Sequence, residues 1–107
     1  MDKASLRRQG LAGRRGMSAA RRAECDRAIA QAVAASSAFA AAAVVMAYCR
    51  AGSEADVSAL AALARAQGKA VVYPHCTART EMEALLPEAD GAFVTDCNGM
   101  RSPDPAR

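Results

Sequence analysis

The sequence predicts an α/β fold, three-layered around a parallel sheet, and three consecutive segments carry that expectation. Residues 41–48 (AAAVVMAY) form a continuous apolar run that closes on the polar, glycine-bearing loop 49–53, as a strand buried on both faces does. Residues 54–67 then place Val57, Leu60, Ala61 and Ala64 on one helical stripe, with Gly68 as the terminator. Residues 69–73 (KAVVY) read as a second strand, stopped by Pro74. Strand, helix and strand in this order make a βαβ unit with a right-handed crossover. Loops 49–53 and 74–77 then share the carboxyl edge of the sheet, where open α/β folds bind ligands.

The remaining elements follow from the ends of the chain inward. Residues 2–15 are mostly good helix formers, weakened by Gly10 and Gly13. Gly16-Met17-Ser18 breaks the helix, and Ser18 is placed to cap a second one running to about Ala35. Cys25, Ile29 and Val33 recur every fourth residue on that helix and give it an apolar face. Ser53 is expected to cap the crossover helix, with Glu54 and Asp56 in its first turn. Beyond it, residues 81–86 and 92–95 read as short strands, Asp90-Gly91 as a turn, and residues 98–105 as turn and extended chain. A sheet resting on two clear parallel strands leaves each without a neighbour on one side.

At 107 residues the chain has room for one domain, and alanine supplies much of its 52% apolar content. Small side chains bury little area, so the core stabilises weakly. The net charge is only +3, yet eight of the fourteen basic residues lie between Lys3 and Arg27. Such asymmetry points to an anionic partner, or else to solvated helix faces. A nucleic-acid partner is disfavoured, because Phe39, Tyr48, Tyr73 and Phe93 sit in or beside buried segments and leave few rings for base stacking. The longest apolar run is too short to span a bilayer. Cys25, Cys49, Cys76 and Cys97 are widely spaced, without a CxxC pair or a secretory leader, and read as reduced thiols of a cytoplasmic protein.

Three constellations carry chemistry. Lys3 and Arg7 stand four residues apart on one helical face, a spacing that suits a polyphosphate but that a solvated surface helix explains more simply. Glu54 lies just past a strand end, where a carboxylate either receives an amine-bearing ligand or serves its helix. Cys49, His75 and Cys76 fall at strand ends, but an adjacent His-Cys pair seldom chelates one ion, and no metal site is expected. His75 reads as a loop histidine or, less simply, as a general base.

In order and spacing these pieces resemble the 5-formyltetrahydrofolate cyclo-ligases. The resemblance rests on KASLR at 3–7, RRGMSAARRAE at 14–24, AYCRAGSEADVSAL at 47–60, QGKAVVYP at 67–74, Met82 within TEMEAL, and NGMRSPDP at 98–105. It covers essentially the whole chain and about the first half of a family member, so residues 1–107 are expected to be a single partial domain. The resemblance implies an enzyme that uses ATP and Mg2+ to convert 5-formyltetrahydrofolate into 5,10-methenyltetrahydrofolate. It implies ATP contacts at Lys3, Ala4, Ser5, Leu6 and Arg7, with Lys3 and Arg7 on the phosphates, and folate contacts at Cys49 and Glu54. Two positions depart from the family pattern: Ser102 replaces the glutamate of a Gly-Ile-x-Glu-Pro turn, and Val57 replaces a threonine. The family's second half carries a glycine-rich loop followed by Tyr-Asp-Arg, which these residues lack. The chain is therefore expected to be a truncated form with little activity alone, or a non-catalytic folate- or phosphate-binding remnant. A complementing chain or a second copy would then complete its sheet.

Overall fold

The computed structural model describes residues 2–87 and 92–105. Two capping residues start its helical face. Asp2 accepts the Ser5 N–H at 2.8 Å and opens α1 (Lys3–Arg15); Ser18 accepts the Arg21 N–H at 3.1 Å and opens α2 (Ala19–Ala34). Both sit in extended backbone, as an N-cap does. Gly16 closes α1, and Arg22 reaches back to the Arg14 carbonyl at 2.9 Å, tying the end of α1 to the start of α2. Neither helix contains a fully buried residue.

A short helix, α3 (Ser37–Ala41), takes the first residue of the apolar run expected to be strand. Ser36 caps it by accepting the Phe39 N–H, and Lys69 donates to the Ala40 and Ala42 carbonyls at its far end. A cation at a helix C-terminus satisfies carbonyls that have no intrahelical donor. The strand shrinks to β1 (Val44–Met46), and it is not buried on both faces: Val44 is 58% and Met46 56% exposed.

The α/β class and the parallel pair are present, with β1 aligned to β2 (Ala70–Ala78) from Val44↔Ala70 to Met46↔Val72. Between them runs α4 (Ser58–Ala66), later than expected. Ser53 does not cap it, and Glu54 and Asp56 precede its first turn. Asp56 accepts the Ser58 N–H at 2.9 Å and does the capping from one residue further out. The apolar stripe is as expected: Ala61 and Ala64 are buried, Val57 and Leu60 pack beside them, and Gly68 ends the element at φ +80°. Phe39, Ala47, Val71 and Tyr73 complete the core.

Pro74 does not stop β2, which runs on through His75 and Cys76 to pair antiparallel with β3 (Glu81–Leu85). Loop 74–77 is therefore strand. Hydrogen-bonding direction explains the tolerance. The Ala70 N–H bonds Ala43, the Val72 carbonyl receives the Ala47 N–H, and the Cys76 N–H bonds Asp96. Alternation then turns the nitrogen of Pro74 to that same side, past the end of β1, where no strand needs a donor.

A separate ribbon of β4 (Phe93–Thr95) and β5 (Arg101–Pro103) packs on this extension of β2. Residues 98–105 thus contain a strand. The Asp90-Gly91 turn lies outside the described residues. Among the contacts that hold the ribbon, Tyr73 meets Phe93 edge-on at 5.2 Å, the fully buried Ser102 hydroxyl lies 2.6 Å from His75 Nδ1, and Asp96 Oδ2 accepts the Cys76 N–H at 3.0 Å. Asp96 Oδ1 also accepts the N–H groups of Asn98 and Met100, and Gly99 supplies the positive φ of the turn.

These amide hydrogen bonds, the one from Cys76 first, hold the Asp96 carboxyl below its ordinary value. A folded-state value below the unfolded one adds stability that is complete above the unfolded value of 3.8 and is lost as pH falls through the folded one. Asp96→Asn is expected to lower Tm by several degrees at neutral pH, and the gap to wild type should narrow in acid, where Asp96 is itself protonated. Thermal melts of both proteins across that range measure it.

Candidate functional site

Loop 47–57, which joins β1 to α4, is fixed by its own side chains. The Tyr48 hydroxyl donates to the Ala55 carbonyl at 2.9 Å, and the Asp56 N–H reaches Asp26 on α2 at 3.3 Å. Gly52 turns the loop at φ +58°, a conformation that suits glycine. Across that turn Glu54 Oε1 accepts the Ala51 N–H at 3.0 Å. The carboxylate is thus held in place while half-buried, with its second oxygen making no hydrogen bond among the described residues.

The end of α1 and the start of α2 face this loop; two clefts lie between them, and both share Arg14 with an outer depression on the surface of α1. The outer one, about 550 Å³, lies against Arg7, Gly10, Leu11 and Arg14. The middle one, about 560 Å³, is bounded by Leu11, Arg14, Arg15 and Arg22 on one side and by Gly52 and Glu54 on the other. The inner one, about 190 Å³, has an apolar floor of Met17, Cys25 and Ile29, with Arg14, Arg22 and Arg50 and the carboxylates of Asp26 and Glu54 around it. Arg14 belongs to all three. A fourth depression, between α2 and α4, contains none of the candidate residues.

Charge in this groove is one-sided. Three guanidiniums surround the middle cleft against one carboxylate, and Arg7 extends the row outward. Among the described residues the sole ion pair is Arg21–Glu24, away from the groove, and the side chains of Arg7, Arg14 and Arg15 have no hydrogen-bond partner. Uncompensated arginines beside a concave surface attract anions, and phosphates above all, because the planar fork matches their oxygens.

The candidate residues fall unevenly on this geometry. Arg7 and Glu54 lie on the groove, at its outer and inner ends. Lys3 sits one turn further out on α1 and borders none of the clefts, although its spacing keeps it on the side of Arg7. Ala4 and Leu6 are exposed on the first two turns of α1. Ser5 is already engaged, its N–H by Asp2 and its hydroxyl by Arg8 at 3.0 Å. Cys49 packs against the core and is absent from the cleft linings. Burial pushes its thiol up from the ordinary value of 9.0 and Arg101 only partly offsets this, so it is a neutral sulfur at pH 7. His75 is a strand residue beside Ser102, remote in sequence and contact from the groove.

Sequence reasoning missed Arg14 and Arg22 as groove residues. The clustering of arginines before residue 28 signalled an anionic partner, yet only the turn at residues 16–18 brings the end of α1 and the start of α2 over loop 47–57. Among the described residues no group of three His, Cys, Asp or Glu side chains stands ready to hold a metal ion, and no helix is long and apolar enough to cross a membrane.

The model of the 5-formyltetrahydrofolate cyclo-ligase family matches residues 1–107, the whole chain. The chain belongs to the 5-formyltetrahydrofolate cyclo-ligase family. A search of curated proteins gives no match. The family is one of ligases in folate one-carbon metabolism.

Proposed function

We propose that this chain serves the ATP-dependent conversion of 5-formyltetrahydrofolate to 5,10-methenyltetrahydrofolate in the cytoplasm, with the groove from Arg7 to Glu54 as the place where both substrates are held. The observation that carries the reading is the groove itself. One end is lined by arginines without partners, and the other is a cleft with an apolar floor and a fixed carboxylate at its rim.

The chemistry divides accordingly. The formyl oxygen attacks the γ-phosphorus, and the bond from that phosphorus to the bridging oxygen breaks, so that ADP leaves with the electron pair. The neighbouring amine then attacks the formyl carbon and gives its proton to solvent. Inorganic phosphate departs with the former carbonyl oxygen, leaving the methenyl cation. Phosphoryl transfer of this kind depends on positioning and on positive charge around the moving group. Arg7 is assigned to the ATP phosphates, with Lys3 as a more distant charge. Glu54 is assigned to the N–H edge of the pterin ring, whose flat apolar faces suit Met17 and Ile29. Cys49 is proposed to touch the folate only as a neutral thiol from the core side of the loop.

The residues present fit ATP better than they fit a resident metal. Mg2+ would enter chelated by the phosphates, as it does in sites with one or two carboxylates. The seven glycines include no closely spaced loop, and Gly10, Gly13 and Gly16 belong to α1 and its cap. These 107 residues are therefore expected to bind both substrates and to turn them over at trace rates, because backbone donors around the transferring phosphate are a large share of such catalysis.

Calorimetric titration with Mg–ATP tests the assignment. Arg7→Ala should weaken ATP binding about tenfold, the worth of a charge-assisted hydrogen bond, and leave 5-formyltetrahydrofolate binding within about twofold. Lys3→Ala should have the smaller effect, since Lys3 lies outside the cleft. Equal loss of both ligands, or none of either, would remove Arg7 from the phosphate site.

A further inference from the structure

Arg14 is the residue shared by the outer, middle and inner clefts. It therefore stands between Arg7 and Glu54, where material passing from one substrate to the other must travel. Resting on the function proposed above, we infer that Arg14 contacts the γ-phosphate of ATP, and the same group as it moves to the formyl oxygen, whereas Arg7 holds the phosphates nearer the nucleoside.

Three observations support this. Arg7 and Arg14 are seven residues apart on one helix, nearly two full turns, so both point to the same side about 10 Å apart along the axis. Leu11 lies between them on that side and borders the same clefts, so no other charge intervenes on the stripe. The position of Arg14 is also fixed from below. Arg22 donates to its carbonyl at 2.9 Å and the Met17 N–H to the same oxygen at 3.2 Å, which anchors the last turn of α1 above Gly52 and Glu54. The backbone is held while the guanidinium is left without a hydrogen bond or ion pair, even with Glu54 on the opposite wall. A cation that pairs with neither Glu54 nor Asp26, the two carboxylates lining the inner cleft with it, retains its full charge for a ligand. Guanidinium placed on a transferring phosphoryl group stabilises the charge spread over its oxygens.

The assignment makes Arg14 a reader of the third phosphate, and the test compares nucleotides that differ only there. Mg–ATP and Mg–ADP are titrated calorimetrically into the wild-type chain, Arg14→Gln, Arg14→Lys and Arg7→Gln, with circular dichroism to confirm folding. Because the Arg14 side chain is exposed and makes no internal bond, its replacement should leave the fold intact. Wild type is expected to prefer ATP over ADP by about tenfold or more, and Arg14→Gln to lose that preference by weakening ATP alone. Arg14→Lys should retain part of it as a point charge without the fork. Arg7→Gln should weaken both nucleotides and keep their ratio. An ATP:ADP ratio unchanged in Arg14→Gln, or near one in wild type, overturns the role of Arg14 while ATP binding itself stands. Failure of wild type to bind either nucleotide overturns the proposed function and this inference with it.

Discussion

Glu54→Gln is expected to weaken 5-formyltetrahydrofolate binding by more than tenfold and to leave thermal stability almost unchanged. The asymmetry follows from what each oxygen of Glu54 does. Oε1 accepts the Ala51 N–H and closes the Gly52 turn. A glutamine keeps that oxygen and so keeps the loop. The other oxygen is the one proposed to receive the N–H edge of the pterin, and there glutamine presents an NH2 group that repels the donors of the ligand. A hydrogen bond to a charged group is worth about 1.5–3 kcal/mol, and meeting a donor with a donor loses it in full. Glu54→Ala removes both functions and should lower Tm as well as affinity. Titration of the folate into the three proteins, with melts in parallel, separates the roles. Unaltered affinity in Glu54→Gln would leave this residue a loop lock and no more.

That experiment takes its form from a difference between sequence and structure. Read from the sequence, Glu54 belongs to the first turn of a helix and serves its dipole. In the fold it precedes the helix by several residues and is spent on a turn, because Gly52 at positive φ lets the chain bend back toward it. The apolar stripe of α4, the caps at Ser18 and Gly68 and the parallel pairing of β1 with β2 were legible, since each depends on neighbours within a few positions. The extension of β2 through Pro74 was not. It depends on Asp96, twenty residues away, offering a carboxylate to the Cys76 N–H, and on the missing donor of Pro74 facing a side where β1 has ended. Asp96-Cys97-Asn98-Gly99 did carry a local signal, an Asx turn ending in glycine, but nothing in those four residues tells which strand the carboxylate also caps.

The groove shows the same division. Arginine clustering was visible as composition, and the resemblance singled out Lys3 and Arg7 within KASLR and Cys49 and Glu54 after it. The place of Arg14 at the junction of the clefts was not visible, because it arises from a helix end, a three-residue break and a loop from another part of the chain meeting in space. Cys49 illustrates the converse. Its place at a strand end was read correctly as near the carboxyl edge, yet the side chain goes to the core, where loss of hydration raises its pKa and suppresses its reactivity.

Phe39→Ala is expected to produce the largest loss of stability of any single truncation in this chain. The ring is 5% exposed and is one of the two aromatic side chains in the buried cluster, whose other members besides Tyr73 and Val71 are alanines. Removing a buried phenylalanine commonly costs about 3–5 kcal/mol, from lost transfer energy and the cavity left behind. Two circumstances place this site toward the upper part of that range. Alanine neighbours cannot swing inward to fill the space, and Lys69, whose ammonium lies 5.2 Å from the ring centre, loses the face on which it rests. Lys69 also holds the Ala40 and Ala42 carbonyls, so the end of α3 and the start of β2 loosen together. Natural domains are stable by only about 5–15 kcal/mol, and a small alanine-rich core belongs near the bottom of that interval. Phe39→Ala should therefore be largely unfolded at physiological temperature, and Phe39→Leu, which keeps most of the volume, should remain folded with a lowered Tm. Urea titrations followed by circular dichroism measure both. A Phe39→Ala protein that unfolds within about 1 kcal/mol of wild type would mean that α3 contributes little to holding β1 and β2 together.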